Sequence, residues 1–142
     1  MKILIDTNVL LDVLAKREPF YAASAQVLRL SESGELSAFI TANTVTDIVY
    51  IIGKHISDKS ALHETVKRVL GIVDVANVLK SDVLKAFELG FADYEDALLA
   101  RCAKRIKADY IVTRNTKDFE DSPVAAITPE DFLDTIHFKV KR

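Results

Sequence analysis

Asp6, Asp47, Asp96 and Asp118 are the residues of this chain whose type and surroundings suit chemistry. Asp6 closes the apolar run Ile3-Leu4-Ile5 and is followed at once by the apolar segment Val9-Leu10-Leu11. A buried strand, a carboxylate and then a helix present an acid at the carboxyl edge of a parallel sheet, where open α/β sheets bind ligands. Asp47 sits in the first turn of a later predicted helix. Asp93 and Asp96 lie one helical turn apart and share a face. Asp118 follows a β-branched strand within Thr113-Arg114-Asn115-Thr116-Lys117-Asp118-Phe119. Acids gathered at one edge repel each other, and a hard divalent cation with oxygen ligands relieves that repulsion. Mg²⁺ or Mn²⁺ suits carboxylates plus water. Such ions polarise a phosphodiester, generate hydroxide from water and stabilise the leaving oxygen.

Each acid taken singly has a plainer role. Asp6 and Asp93 suit helix N-caps, and acids in a first turn are stabilised by the helix dipole and free N–H groups. Asp96 argues hardest for more, because Leu99, Ala100 and Ala103 follow it at helical spacing and set it at the head of an inward-facing stripe, where an unpaired charge is costly. Other chemistries find less support. His55, His63 and His137 stand at unrelated spacings and offer no zinc site. Gly34, Gly53, Gly71 and Gly90 form no phosphate loop, and no serine sits on a glycine-flanked elbow.

The elements that must place these acids alternate. Lys2–Ile5, Leu36–Ile40, Ile72–Val75, Tyr110–Thr113 and Ala125–Ile127 read as strands. Helices are predicted over Thr7–Ala15, Ala22–Leu30, Thr44–Ile56 (with Thr44 and Asp47 as a capping signal), Ser60–Leu70, Ser81–Leu89, Tyr94–Ile106 and from Pro129, capped by Thr128. Strands alternating with helices imply an α/β fold, a small parallel sheet of four to five strands wrapped on both faces. Right-handed crossovers then bring the carboxyl ends of the strands, and with them the acids, to one edge.

At 142 residues the chain has the length of one ordinary domain, taken as residues 1–142 without linker or repeat. Nearly half of it is apolar, which excludes disorder. No apolar run is long enough for a membrane span, and Asp6 and Asp12 interrupt any signal-peptide layout, so a cytoplasmic location is expected. Cys102, the lone cysteine, is expected in the core. A net charge of −2 gives no general attraction to a polyanion, so any basic surface must be local.

The order of these motifs resembles the PIN-domain family, the three-layer ribonuclease fold of VapC-type toxins. The resemblance runs from Ile3-Leu4-Ile5-Asp6-Thr7-Asn8-Val9-Leu10 through Glu95-Asp96-Ala97-Leu98-Leu99-Ala100 to Ile111-Val112-Thr113-Arg114-Asn115-Thr116-Lys117-Asp118-Phe119. Pro129-Glu130-Asp131-Phe132-Leu133 is similar to the family's closing helix, and Arg17-Glu18-Pro19-Phe20-Tyr21 to a segment of one subgroup. The resemblance implies an Mg²⁺- or Mn²⁺-dependent endoribonuclease that cuts single-stranded RNA. It also implies a small antitoxin partner and a homodimer.

In that family Asp6 and Asp96 match the central metal-binding acids, and Asp47 stands where many members carry Glu. Asn115 stands where the family often has Asp, so Asp118 is expected to substitute. Thr7, Asn8, Asp93, Thr113, Arg114 and Asn115 are expected around the site, orienting acids or touching substrate. Arg114 is the nearest candidate for RNA phosphates, with Lys16, Arg17, Lys117, Lys139, Lys141 and Arg142 behind it. Two other readings stand beside this one. One is a haloacid-dehalogenase-like phosphatase, against which Asn8 weighs because that chemistry wants a second Asp there. The other is a receiver-like or degenerate PIN-like binding module.

Overall fold

Ile3, Leu4 and Ile5 are all fully buried, so the first strand, β1 (Lys2–Ile5), must be covered on both faces. The computed structural model describes the backbone of residues 1–140, with side chains as far as His137. Lys141, Arg142 and the side chain of Lys139 lie outside the described residues. β1 pairs in parallel with β2 (Ser37–Thr41) on one side and β4 (Tyr110–Val112) on the other. β3 (Asp74–Ala76) joins β2, and β5 (Ala126–Ile127) joins β4. The sheet is therefore five-stranded, parallel throughout and ordered β3-β2-β1-β4-β5.

Around it lie α1 (Thr7–Leu14), α2 (Tyr21–Glu32), α3 (Ala42–Ile52), α4 (Lys59–Leu70), α5 (Lys80–Ala86), α6 (Tyr94–Arg105) and α7 (Pro129–Val140). The strand period of two divides them into layers. Ile3 and Ile5 enter one core with Leu10, Ile48, Val66 and Phe132, from α1, α3, α4 and α7. Leu4 and Ile111 enter a second core with Ala97, Ala100 and Cys102 of α6. Burying each such aliphatic side chain stabilises the fold by about 1.5–3 kcal/mol before entropy is counted. Cys102 is the expected small core residue, fully buried.

Strand order reverses beside β1. The chain builds outward through β2 and β3, then returns to the other flank of β1 as β4. The carboxyl ends of β1 and β4 thus border the crevice that such a reversal opens. Asp6 follows the first, and Thr113 the second.

The expected elements are present, with shifted edges. The third helix starts at Ala42, so Thr44 lies inside it and does not cap it. Its hydroxyl instead contacts that of the buried Thr41, 3.0 Å away. The same helix stops before Gly53 and not at Ile56; a Cβ at Gly53 would meet Val49 O at 2.7 Å and Leu62 of α4 at 3.3 Å. The segment expected to be helical over Ser81–Leu89 tightens into a 3₁₀ turn over Phe87–Leu89, and Gly90 ends it in the left-handed region at φ 71°. Ile72 and Val73 belong to the turn after α4, both donating to Val69 O, which displaces β3 toward Ala76. Thr128 caps α7 as expected, its hydroxyl accepting from Asp131 N at 3.1 Å.

Candidate active site

Asp6 ends β1 while still on the sheet, its N–H donating to Val112 O of β4 at 3.0 Å. Its carboxylate does two things at once. Oδ1 accepts from Thr7 N at 2.8 Å and caps α1. Oδ2 accepts from the Thr113 hydroxyl at 2.8 Å and from Asn8 Nδ2 at 3.3 Å. Asp6 therefore caps α1 and lines a cleft at the same time. Burial raises its pKa, and the charges of Asp118 and Asp93 add to the rise, while the hydrogen bonds from Thr113 and Thr7 oppose it.

Asp47 comes from α3. Because that helix begins at Ala42, no acid lies in its first turn, and Asp47 sits one turn further in than expected. The helix dipole therefore does not account for it. Asp93 is the N-cap of α6, its Oδ1 accepting from Asp96 N at 3.1 Å. Asp96 stands in the first turn of α6, pushed up to about 6 by burial and then by the charges of Asp93, Asp6 and Asp118. Asp118 lies in a 3₁₀ turn over Thr116–Phe119.

All five aspartates line a single cleft of about 430 Å³, together with Thr7, Asn8 and Asn115. Thr113, fully buried, reaches it through Asp6. Arg114 is absent from its lining: Nε lies 2.6 Å from Oδ2 of the buried Asp12, and the guanidinium carbon lies 4.1 Å from the Phe20 ring centre. The contact with Asp12 is one of opposite charges, without an N–H aimed at the oxygen. Lys117 borders a smaller neighbouring cleft that shares Asp118. Lys16 and Arg17 are exposed.

Two lining residues with carboxyl or amide oxygens, Glu95 and Asn43, were not anticipated as members of the site. Glu95, beside Asp96, turns its carboxyl to Asp47 and is pushed up to about 7, first by the hydrogen bond with Asp47, then by burial and the surrounding acids. Its place next to Asp96 was visible, but which way it faces depends on how the sheet places α3 and α6 on either side of the cleft. Asn43 carries a buried Oδ1 without a partner among the described residues. Nothing in the sequence distinguishes it from other polar helix residues.

The donor set fits a hard cation. Asp6, Asp96 and Glu95 are all held toward the protonated form by burial and by neighbouring acids. Among the described residues, no three His, Cys, Asp or Glu side chains converge closely enough to hold an ion by themselves. The fit is therefore to an ion that keeps several waters, as Mg²⁺ does.

The match to known proteins follows the same lines. The PIN-domain family model matches residues 2–117, and the chain belongs to that family. It is 28% identical over 138 residues to ribonuclease VapC1 of Aquifex aeolicus, covering 94% of each chain. Its fold resembles the crystal structure of VapBC2 from Rickettsia felis bound to a promoter DNA fragment, with TM-score 0.70 at 17% identity over 90% of this chain and 98% of that one. It also resembles VapC20 of Mycobacterium tuberculosis, a sarcin-ricin loop cleaving toxin, with TM-score 0.59 at 13% identity over 77% and 86%. Among the described residues, no helix is long and apolar enough to cross a membrane.

Proposed function

We propose that this protein is a divalent-metal-dependent endoribonuclease that cuts single-stranded RNA, and the toxin of a toxin–antitoxin pair. One observation carries the reading: Asp6, Asp47, Asp96 and Asp118, from four separate elements, meet at the crevice where strand order reverses in a PIN fold. The Aquifex relative is a ribonuclease, which supports the substrate class, and the VapBC complex among the structural neighbours supports the antitoxin.

When bound, Mg²⁺ or Mn²⁺ supplies charge for the scissile phosphate and an activated water. Asp6, Asp96, Asp47 and Asp118 would hold it. Thr113, Asn8 and Thr7 N–H keep the Asp6 carboxylate in one orientation, so no reorganisation is needed as charge develops. Glu95 is held toward its protonated form near neutral pH, first by its hydrogen bond with Asp47, which relieves repulsion between the two carboxyls in the absence of a cation. Asn115 orients water or phosphate without adding charge.

The test is cleavage of single-stranded RNA by purified protein with Mn²⁺ or Mg²⁺, beside Asp6→Asn and Asp96→Asn. Wild-type cleavage that is abolished by a chelator and lost in both variants is expected. Equal cleavage by all three proteins would identify a contaminant and sink the proposal. Metal binding without cleavage would assign a binding module, and phosphate release from small esters alone a phosphatase. Growth arrest on expression, relieved by a small co-expressed partner, tests the toxin assignment.

A further inference from the structure

Asp12 is fully buried on α1, and neither of its carboxylate oxygens has an aligned hydrogen-bond donor among the described residues. Its countercharge is Arg114, with Nε 2.6 Å from Oδ2. A buried carboxylate stripped of its cation is strongly destabilising. Asn8 and Asp12 are four residues apart on α1 and share a face. Asn8 Oδ1 accepts from the Arg114 backbone N–H at 3.4 Å, while Asp12 holds the guanidinium end. The Phe20 ring, just before α2, covers that guanidinium at 4.1 Å. One face of α1 thus grips Arg114 at both ends.

The residues on either side of Arg114 belong to the cleft. Thr113 donates to Asp6 Oδ2 at 2.8 Å and accepts from Asn115 N at 3.1 Å, and Asn115 lines the cleft itself. We propose that Arg114 is a positioning residue: anchored by Asp12 and Phe20, it locks the loop after β4 to α1 and fixes Asn115 relative to Asp6. It does not hold RNA phosphates. The effect on cleavage rests on the nuclease reading above; the lock rests on the geometry alone.

Amide hydrogen exchange and cleavage kinetics on Arg114→Gln, Arg114→Lys and Asp12→Asn/Arg114→Gln test the lock. Exchange at residues 114 and 115 is expected to be roughly tenfold faster or more in Arg114→Gln. Its kcat should fall about 10- to 100-fold, as expected for misplaced site groups, with KM within about twofold of wild type. Arg114→Lys keeps the charge Asp12 needs but not the planar contact with Phe20, and should show a smaller loss in the same direction. The double variant, with no buried charge left unpaired, should recover part of both. RNA binding measured in an Asp96→Asn background should keep its salt slope on Arg114→Gln, whereas a lost phosphate contact would reduce it by about 0.7. Wild-type exchange and kcat in both single variants, or a reduced slope with a raised KM, would overturn the proposal. Should the wild type not cut RNA, the nuclease reading falls and the amide exchange still decides the lock. Should Arg114→Gln not fold, Arg114→Lys carries the same readings.

Discussion

Asn115 occupies the point where cleft chemistry meets the loop after β4, exposed and beside Asp118. A carboxylamide there orients ligands but adds no charge to a site rich in acidic oxygens. Asn115→Asp should therefore raise divalent affinity roughly tenfold, the size expected for one added charge a few ångströms from a cation in partly screened surroundings. Calorimetric Mn²⁺ titration checks this, and an unchanged affinity would place residue 115 out of reach of the ion. Several residues of the site announced themselves in the sequence. Asp6 and Asp96 were recognisable because one directly follows a buried strand and the other heads an inward-facing helical stripe. Asp12 interrupts an apolar run, between Leu11 and Val13, but its partner is more than a hundred residues away in the chain, so its role appears only when α1 and the loop after β4 are packed together.

At the scale of elements, α6 matters most, because it delivers Asp93, Glu95 and Asp96 together. Its seating depends on Asp82 of α5, which is fully buried. Asp82 accepts from Arg105 Nε at 3.1 and 2.9 Å and from Leu79 N at 2.9 Å. Arg101 Nε lies further off at 3.9 Å, so it contributes less. Asp82→Ala should cost about 2–4 kcal/mol, because a backbone N–H and an arginine lose their partner together. Urea unfolding measures this, and a loss below about 0.5 kcal/mol would mean that the helices are held by apolar packing alone. Helix periodicity revealed α6 and its inward stripe. The Asp82–Arg105 pair was invisible, since charged residues on a predicted helix read as a solvated face.

The whole molecule carries the cost of its acidic cleft. Glu95 and Asp96 have carboxyls raised from 4.5 and 3.8 to about 7 and about 6. Between the unfolded and folded values the native state binds more protons than the unfolded chain, so stability falls as pH rises through that window. The penalty is absent below about pH 4 and complete above about pH 7, though exposure of Glu95 to solvent weakens its share. For metal-free protein, Tm should therefore drop between about pH 5 and pH 8, and saturating Mn²⁺ should raise Tm more at the upper end than the lower. A Tm gain from Mn²⁺ that does not depend on pH would show that the ion binds away from these acids.

The sequence by itself determined the alternation of strands and helices, because burial on two sheet faces writes continuous apolar runs and one-sided helices write a period near 3.6. With that alternation came the parallel sheet and an edge where acids gather, and the PIN-like order of motifs narrowed what the edge is for. Only the tertiary structure decided which acids meet. Glu95 turns to Asp47 because the sheet places α3 and α6 on either side of one cleft, and Arg114 turns from the cleft because a buried carboxylate on α1 claims it. Local sequence encodes the face on which a residue falls; the partner across the gap is set by packing between elements far apart in the chain, and for buried charges that partner decides the role.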